Sequence, residues 1–333
     1  MCHPKIFQKD LIQQILTAKK AEIIQPIHVA ETNQQNELVF FVKPELFDVE
    51  DISKINHSLQ LIEDKFDAFG VTVNGTAIIP GAFLEKHEIM NRHYGFINQL
   101  SRLASTMVDI ETRQRLFSAL DIEDHNEHKI LGGHEFLKHF NTDSPTLSDI
   151  WFAQGANKLR SGFYFIEDTF QGEPIILVNG FHPSQLEHFT REDHRILLML
   201  LHTDTDWYDL KFELVGDTFP ERAKPGSIRG QLYADPERYG QKEVGINTNG
   251  VHLSAGPFEA AFEVVNFFGA LLDLKPAQTL PLAIKRAQES GFSNEAALSL
   301  LDNPSLNSSD LFSETENMNT PGAIEFANAH LLE

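Results

Sequence analysis

The chain has 333 residues, 41% hydrophobic and 23% charged, with a formal net charge of -21 from 48 acidic residues against 27 Lys and Arg. This suits a soluble globular protein with a sizeable core; no run approaches the roughly 20 apolar residues of a membrane span. So acidic a surface repels nucleic acid and anionic membranes, so any anion site must be a local island of Lys, Arg and backbone N–H. The lone cysteine, Cys2, allows no internal disulfide, and Met1 to Lys20 lacks the apolar run of a secretory signal. A cytoplasmic protein is expected, or one delivered from one cytoplasm into another.

Taken in chain order, residues 4–20 place Ile6, Phe7, Leu11, Ile12, Ile15 and Leu16 on a helical stripe. Glu37 to Lys43 (ELVFFVK) reads as a buried strand ended by Pro44, and Ile52 to Phe66 as a helix. Gly70 to Ile79 alternates like a strand, and Phe83 to Leu103 has helical spacing. Residues 105–170 are rich in His and Asp with weak periodicity. Ile175 to Val178 is a short strand closed by Asn179-Gly180, and helices are expected over Glu192 to Leu201 and Asp206 to Val215. Gly216 to Asn249 reads as a long loop of the kind that carries function or is disordered. Val251 and Leu253 flank His252 as a short strand, Phe258 to Leu272 is an apolar helix, and Leu280 to Leu301 is amphipathic. The Ser, Asn and Glu-rich stretch that follows (PSLNSSDLFSETENMNTPG) is expected to be mobile. Strands alternating with helices point to an α+β or α/β sandwich.

Two segments carry chemistry. Residues 216–230 (GDTFPERAKPGSIRG) set a Pro225-Gly226 turn and the Ser227 hydroxyl among Arg222, Lys224 and Arg229. Arginine suits phosphate because its planar fork bonds two oxygens at once; taken alone, the stretch is equally a solvated surface loop. Next, Asn249 and His252 bracket a short strand, followed by Ser254 and, eleven residues after the histidine, Glu263. A histidine that accepts a phosphoryl group needs one ring nitrogen available and the other held by an acceptor, which a carboxylate such as Glu263 supplies. A lone strand histidine is more often structural, so its company decides.

That company resembles the nucleoside diphosphate kinase family. Residues 225–230 (PGSIRG) are similar to its Pro-Gly-Thr-Ile-Arg-Gly, and Phe40-Phe41-Val42-Lys43-Pro44-Glu45 to its first strand and Lys-Pro-Asp motif. His93-Tyr94 resembles its His-Tyr pair. The spacings from Thr218 to Arg229, from Asn249 to His252, and from His252 through Ser254 and Glu263 to Phe268 are also the family's. The resemblance implies a ferredoxin-like α+β fold: an antiparallel four-stranded sheet with helices across one face, a large central insertion, and N- and C-terminal helical extensions. The implied division is an extension at 1–36, a nucleoside diphosphate kinase-like domain at 37–270, and a helical, partly flexible tail at 271–333. Insertions fall at about 105–171 and about 181–203.

By the same resemblance, His252 takes the γ-phosphoryl group of ATP or another nucleoside triphosphate and passes it to a nucleoside diphosphate. Lys43 and Tyr94 bind the phosphate and sugar region, Thr218 and Arg229 hold phosphate oxygens, and Asn249 bonds the ribose end. Glu263 orients the histidine, with Ser254 close by. Mg2+ arrives bridging the nucleotide's phosphates, so no protein metal cage is implied. A homo-oligomer is left open.

Departures qualify this reading. The family's arginine four residues before Gly216 is replaced by Phe212, with Lys211 beside it, and its Gly-Ser-Asp after the histidine by Leu253-Ser254-Ala255. The stretch from Arg229 to His252 is longer than the family's. Two other readings stay open: a phosphohistidine enzyme with a different acceptor, and a catalytically weak or inactive nucleotide-binding or scaffold module. Elsewhere, His125, His128, His134 and His139 match no zinc spacing and read as surface histidines. Asp204, Asp206 and Asp209 read as an acidic cap at a helix start rather than as magnesium ligands.

Overall fold

The computed structural model describes residues 9–122, 128–160, 162–275, 278–306 and 309–332. Its strands in chain order are β1 (Glu22–Gln25), β2 (Asn36–Val42), β3 (Thr72–Pro80), β4 (Lys129–Gly132), β5 (Asn157–Arg160), β6 (Phe163–Phe170), β7 (Glu173–Val178), β8 (Arg195–Thr203) and β9 (Val251–Leu253), before a short Ser305–Leu306/Ser309–Asp310 pair. The chain forms two compact units, Met1–Ile89 with Phe189–Glu333, and Met90–His188. None of the described helices is long and apolar enough to cross a membrane.

The first unit is built on a sheet of order β1-β3-β8-β2-β9, antiparallel at every pairing. After a first helix, α1 (Lys9–Thr17), helix α2 (Ile52–Ala68) links β2 to β3, and the helical stretch from Trp207 to Val215 follows β8 on the way to β9. Read without β1, this is a β-α-β-β-α-β succession with spatial order 2-3-1-4, a ferredoxin-like kind of α+β fold. The expected sheet had four strands; the described one has five, because the short Glu22–Gln25 segment adds itself to the edge of β3. Its EIIQ sequence has no alternation to announce it.

β2 is buried along its whole length, so both faces need cover, and the expectation of helices across one face is corrected. Phe40 meets Phe66 of α2 edge-on at 5.1 Å, whereas Phe41, pointing the other way, meets Phe267 at 5.6 Å. The same two-sided burial accounts for the largest difference between sequence and structure. Arg195 to Thr203 (RILLMLLHT) is strand β8, hydrogen-bonded to both β2 and β3, where a helix over Glu192 to Leu201 is expected. A continuous apolar run has neither the period of 2 nor that of 3.6, so burial on both faces hides its type.

A buried carboxylate ties this sheet to both ends of the unit. Glu37 Oε2 accepts from the Ala30 N–H at 2.6 Å and lies 2.8 Å from His202 Nε2, while Oε1 accepts from the Leu282 N–H at 2.7 Å. The C-terminal part is more regular than its composition suggests, with helices at Leu282–Glu289, Asn294–Ser299, Leu311–Glu314 and Thr320–Leu331. Phe258 and Ala261 form a core with Ile284, Leu311, Ile324 and Ala327, which is the apolar surface that orders the stretch expected to be mobile. The second unit carries a mixed sheet, β4-β7-β6-β5, in which β4 runs parallel to β7 and the other pairs are antiparallel.

Candidate active site

The site grows from the β2–β9 edge of the first unit's sheet. β9 pairs with β2 in a register that sets His252 directly opposite Phe41. Opposite residues on adjacent antiparallel strands share a face, and the two rings stack at 4.4 Å and 17°. Past the strand, the helix Pro257–Glu263 brings Glu263 back over the histidine. Glu263 Oε1 lies 2.7 Å from His252 Nε2, and Oε2 accepts from the Ser254 hydroxyl at 2.5 Å. The Ser254 oxygen itself accepts from the Val39 N–H at 2.9 Å. Glu263 is 1% exposed and His252 18%.

Two buried cations share this electrostatic field. Lys43, the residue after β2, donates its ammonium to Asn249 Oδ1 at 2.7 Å and its N–H to the Gly250 carbonyl at 2.9 Å. Arg229 stands in a short helix, Ile228–Ala234, whose N-cap Ser227 accepts from the Gly230 N–H. Its two terminal nitrogens donate to the Gly216 and Val251 carbonyls, each at 2.9 Å. Burial pulls Lys43 down to about 8, with Glu45 opposing and Arg229 adding to the shift. Burial likewise pulls Arg229 down to about 10 against Asp217 and Glu45. His252 is driven well below the ordinary imidazole range, first by burial and then by Lys43 and Arg229. It is therefore neutral at physiological pH. With a carboxylate on Nε2 the hydrogen sits there, and Nδ1 carries the lone pair.

The remaining expected residues fall in different places. Asn249 is engaged at both ends, since its amide nitrogen donates to the Thr218 and Ile246 carbonyls at 3.1 Å. Thr218 is exposed and joins the site through that carbonyl. Phe212 packs on Tyr208 at 4.6 Å, and Lys211 is ion-paired with Glu316. Tyr94 belongs to the second unit, where its ring meets His93 and His182 edge-on.

Three further residues stand around the site. Glu45 accepts from the Gly250 N–H at 2.9 Å, and Phe41 is the floor beneath the histidine. Glu259, one turn before Glu263, accepts from the Ala255 N–H at 3.3 Å and is pushed up by burial and by Glu263. Glu259 carries a local signal in its i, i+4 spacing from Glu263; nothing local marks Phe41. Gly250 is held at φ +81, with Leu232 Cδ1 only 2.5 Å from where a Cβ would stand. Gly250→Ala is thus expected to lower stability by about 1–3 kcal/mol, read from the denaturant midpoint, through strain and overpacking together.

The other polar clusters take structural partners. Asp204 accepts from the Gln35 N–H at 2.8 Å. Asp206 precedes the Trp207 helix but bonds the Asn319 amide rather than capping that helix. His128 and His139 meet Glu167 and Glu173. His134, expected at the surface, sits 2.9 Å from Ser101 Oγ and is pulled to about 3 by burial and Arg102. His125 lies outside the described residues.

No family model matches the chain, and no curated protein matches it by sequence. Among solved structures it is similar to a nucleoside diphosphate kinase from Encephalitozoon cuniculi, at 14% identity and a TM-score of 0.34, covering 70% of this chain and 89% of that one. It is also similar to an NDP kinase from Pyrobaculum aerophilum, at 16% identity and a TM-score of 0.33, covering 70% and 95%. Overlap this loose carries no inference about chemistry, which has to be read from the site itself.

Proposed function

We propose that the chain is a nucleoside diphosphate kinase-like phosphotransferase that works through phospho-His252, with the Mg2+ complex of ATP or another nucleoside triphosphate as donor. One observation carries this reading: a neutral, largely buried imidazole whose Nε2 is held by a buried carboxylate, in the field of Lys43 and Arg229. Nδ1 attacks the γ-phosphorus; the N–P bond forms, the bond to the β,γ-bridging oxygen breaks, and the diphosphate leaves. The Nε2 proton stays against Glu263, which balances the positive charge the ring acquires. A nucleoside diphosphate oxygen then displaces the histidine. Such transfer depends on positioning and charge neutralisation, which fixed cations supply in a site shielded from water. Thr218, Asn249 and Tyr94 are assigned to nucleotide binding on the sequence resemblance.

γ-labelled ATP should give acid-labile, base-stable label in the wild type and none in His252→Ala; label surviving in that variant sinks the assignment. The rate of labelling should be flat across neutral pH. Its acid limb should lie well below 6.5, where the histidine gains its proton, and its alkaline limb near pH 8, where Lys43 loses its charge. Lys43→Arg should move only the alkaline limb, upward.

A second reading, a nucleotide-binding module without transfer, is favoured by the commitment of both terminal nitrogens of Arg229 to backbone carbonyls. Calorimetric binding of nucleotide without any label on His252 selects it.

A further inference from the structure

The C-terminal segment Thr315 to Thr320 touches the histidine site from two sides. On one, the Asn317 N–H donates to the Ala255 carbonyl at 2.9 Å, in the loop that joins β9 to the Glu263 helix. The next residue, Gly256, is so close to the segment that a Cβ there would lie 2.7 Å from the Thr315 carbonyl oxygen. On the other side, Asn319 Oδ1 accepts from the Trp207 N–H at 2.9 Å, and the Trp207 indole N–H donates to the Ser254 carbonyl at 3.0 Å. Asn36, at the start of β2, accepts from the Thr320 N–H at 2.9 Å. Between these anchors Glu316 pairs with Lys211.

The Asn317 bond and the Trp207 indole bond end on Ala255 and Ser254, in the stretch that carries the chain from His252 into the Glu263 helix, and the others anchor the segment that makes them. We propose that Thr315–Thr320 is an intramolecular clamp that positions His252 against Glu263, with Asn319 as its principal positioning residue and Glu316–Lys211 as its latch. The clamp touches no reacting atom; it fixes the loop whose geometry decides the Nε2–Glu263 bond. This rests on the reading of His252 as phosphoryl acceptor, in which displacement of a reacting group by about 1 Å can slow a reaction about 100-fold.

The test uses the full chain in three forms: Gly256→Ala, which drives a methyl group into the Thr315 carbonyl, Asn319→Ala, and Glu316→Gln. The readouts are the His252 labelling rate at saturating ATP, the ATP concentration for half-maximal rate, and the proton resonance of the histidine Nε2–H. Gly256→Ala and Asn319→Ala should each slow labelling by about 10- to 100-fold, leave half-saturation within about 3-fold, and shift the Nε2–H resonance. An unshifted resonance with an unchanged rate in the folded variants overturns the clamp. Should those two fail to fold, Glu316→Gln decides, since it removes only a partly exposed charge: a shifted resonance supports the clamp and an unshifted one overturns it. Wild-type protein that shows the resonance but never takes label refutes phosphotransfer, while the resonance shifts still judge the clamp.

Discussion

With His252 as the phosphoryl acceptor proposed above, Glu263→Gln is expected to slow its labelling by about 100- to 1,000-fold with little change in fold. The carboxylate has two accepting duties, toward His252 Nε2 and the Ser254 hydroxyl. An amide has one accepting atom and one donating group. If the amide nitrogen faces the histidine, Nε2 must become an acceptor, the ring proton moves to Nδ1, and the attacking nitrogen is blocked. If it faces Ser254, the tautomer survives, but no negative charge remains to balance the phosphorylated ring. Either arrangement loses the reaction by a different route, so the variant should fail however the amide settles. Initial rates with γ-labelled ATP, compared at equal occupancy and with an unchanged denaturant midpoint, test it. A rate within about 3-fold of wild type removes Glu263 from the mechanism.

Glu37→Leu should cost about 3–5 kcal/mol of stability, the largest loss expected from any single change outside the site. The volume is roughly kept, but the Ala30 and Leu282 N–H groups and His202 Nε2 lose their acceptor in the interior. Natural domains have about 5–15 kcal/mol in all, so the variant should unfold at distinctly lower denaturant. Adding His202→Leu should recover little of the loss, because it removes one orphaned group but takes the partner of the Asn74 amide, 2.6 Å from His202 Nδ1. A Glu37→Leu protein within about 1 kcal/mol of wild type would show that water or backbone movement satisfies these groups.

Legibility varied along the chain for identifiable reasons. Glu37 to Lys43, Ile52 to Phe66 and Gly70 to Ile79 each carry a local period or a breaker, and they became β2, α2 and β3. The Gly216 to Asn249 loop does hold Arg229, which a short helix sets beside the histidine strand. Arg195 to Thr203 carries no period because every position after Arg195 is buried, so its strand identity belongs to its neighbours β2 and β3. The tail reads as polar because its apolar residues are few, yet Ile284, Leu311, Ile324 and Ala327 share one core with Phe258 and Ala261 of the Glu263 helix.

Within the site, the sequence by itself determined the cast: His252, Ser254 and Glu263 at a spacing that carries a short strand into a helix, with Lys43 and Arg229 as cations in an acidic chain. Residue type and separation suffice where partners are joined by one turn of chain. Only the tertiary structure decided the state of that cast. Cross-strand register put Phe41 under the ring, burial stripped the imidazole of its charge, and the ends of Arg229 went to backbone carbonyls. Desolvation and register are sums over contacts from distant parts of the chain, and no local pattern encodes them.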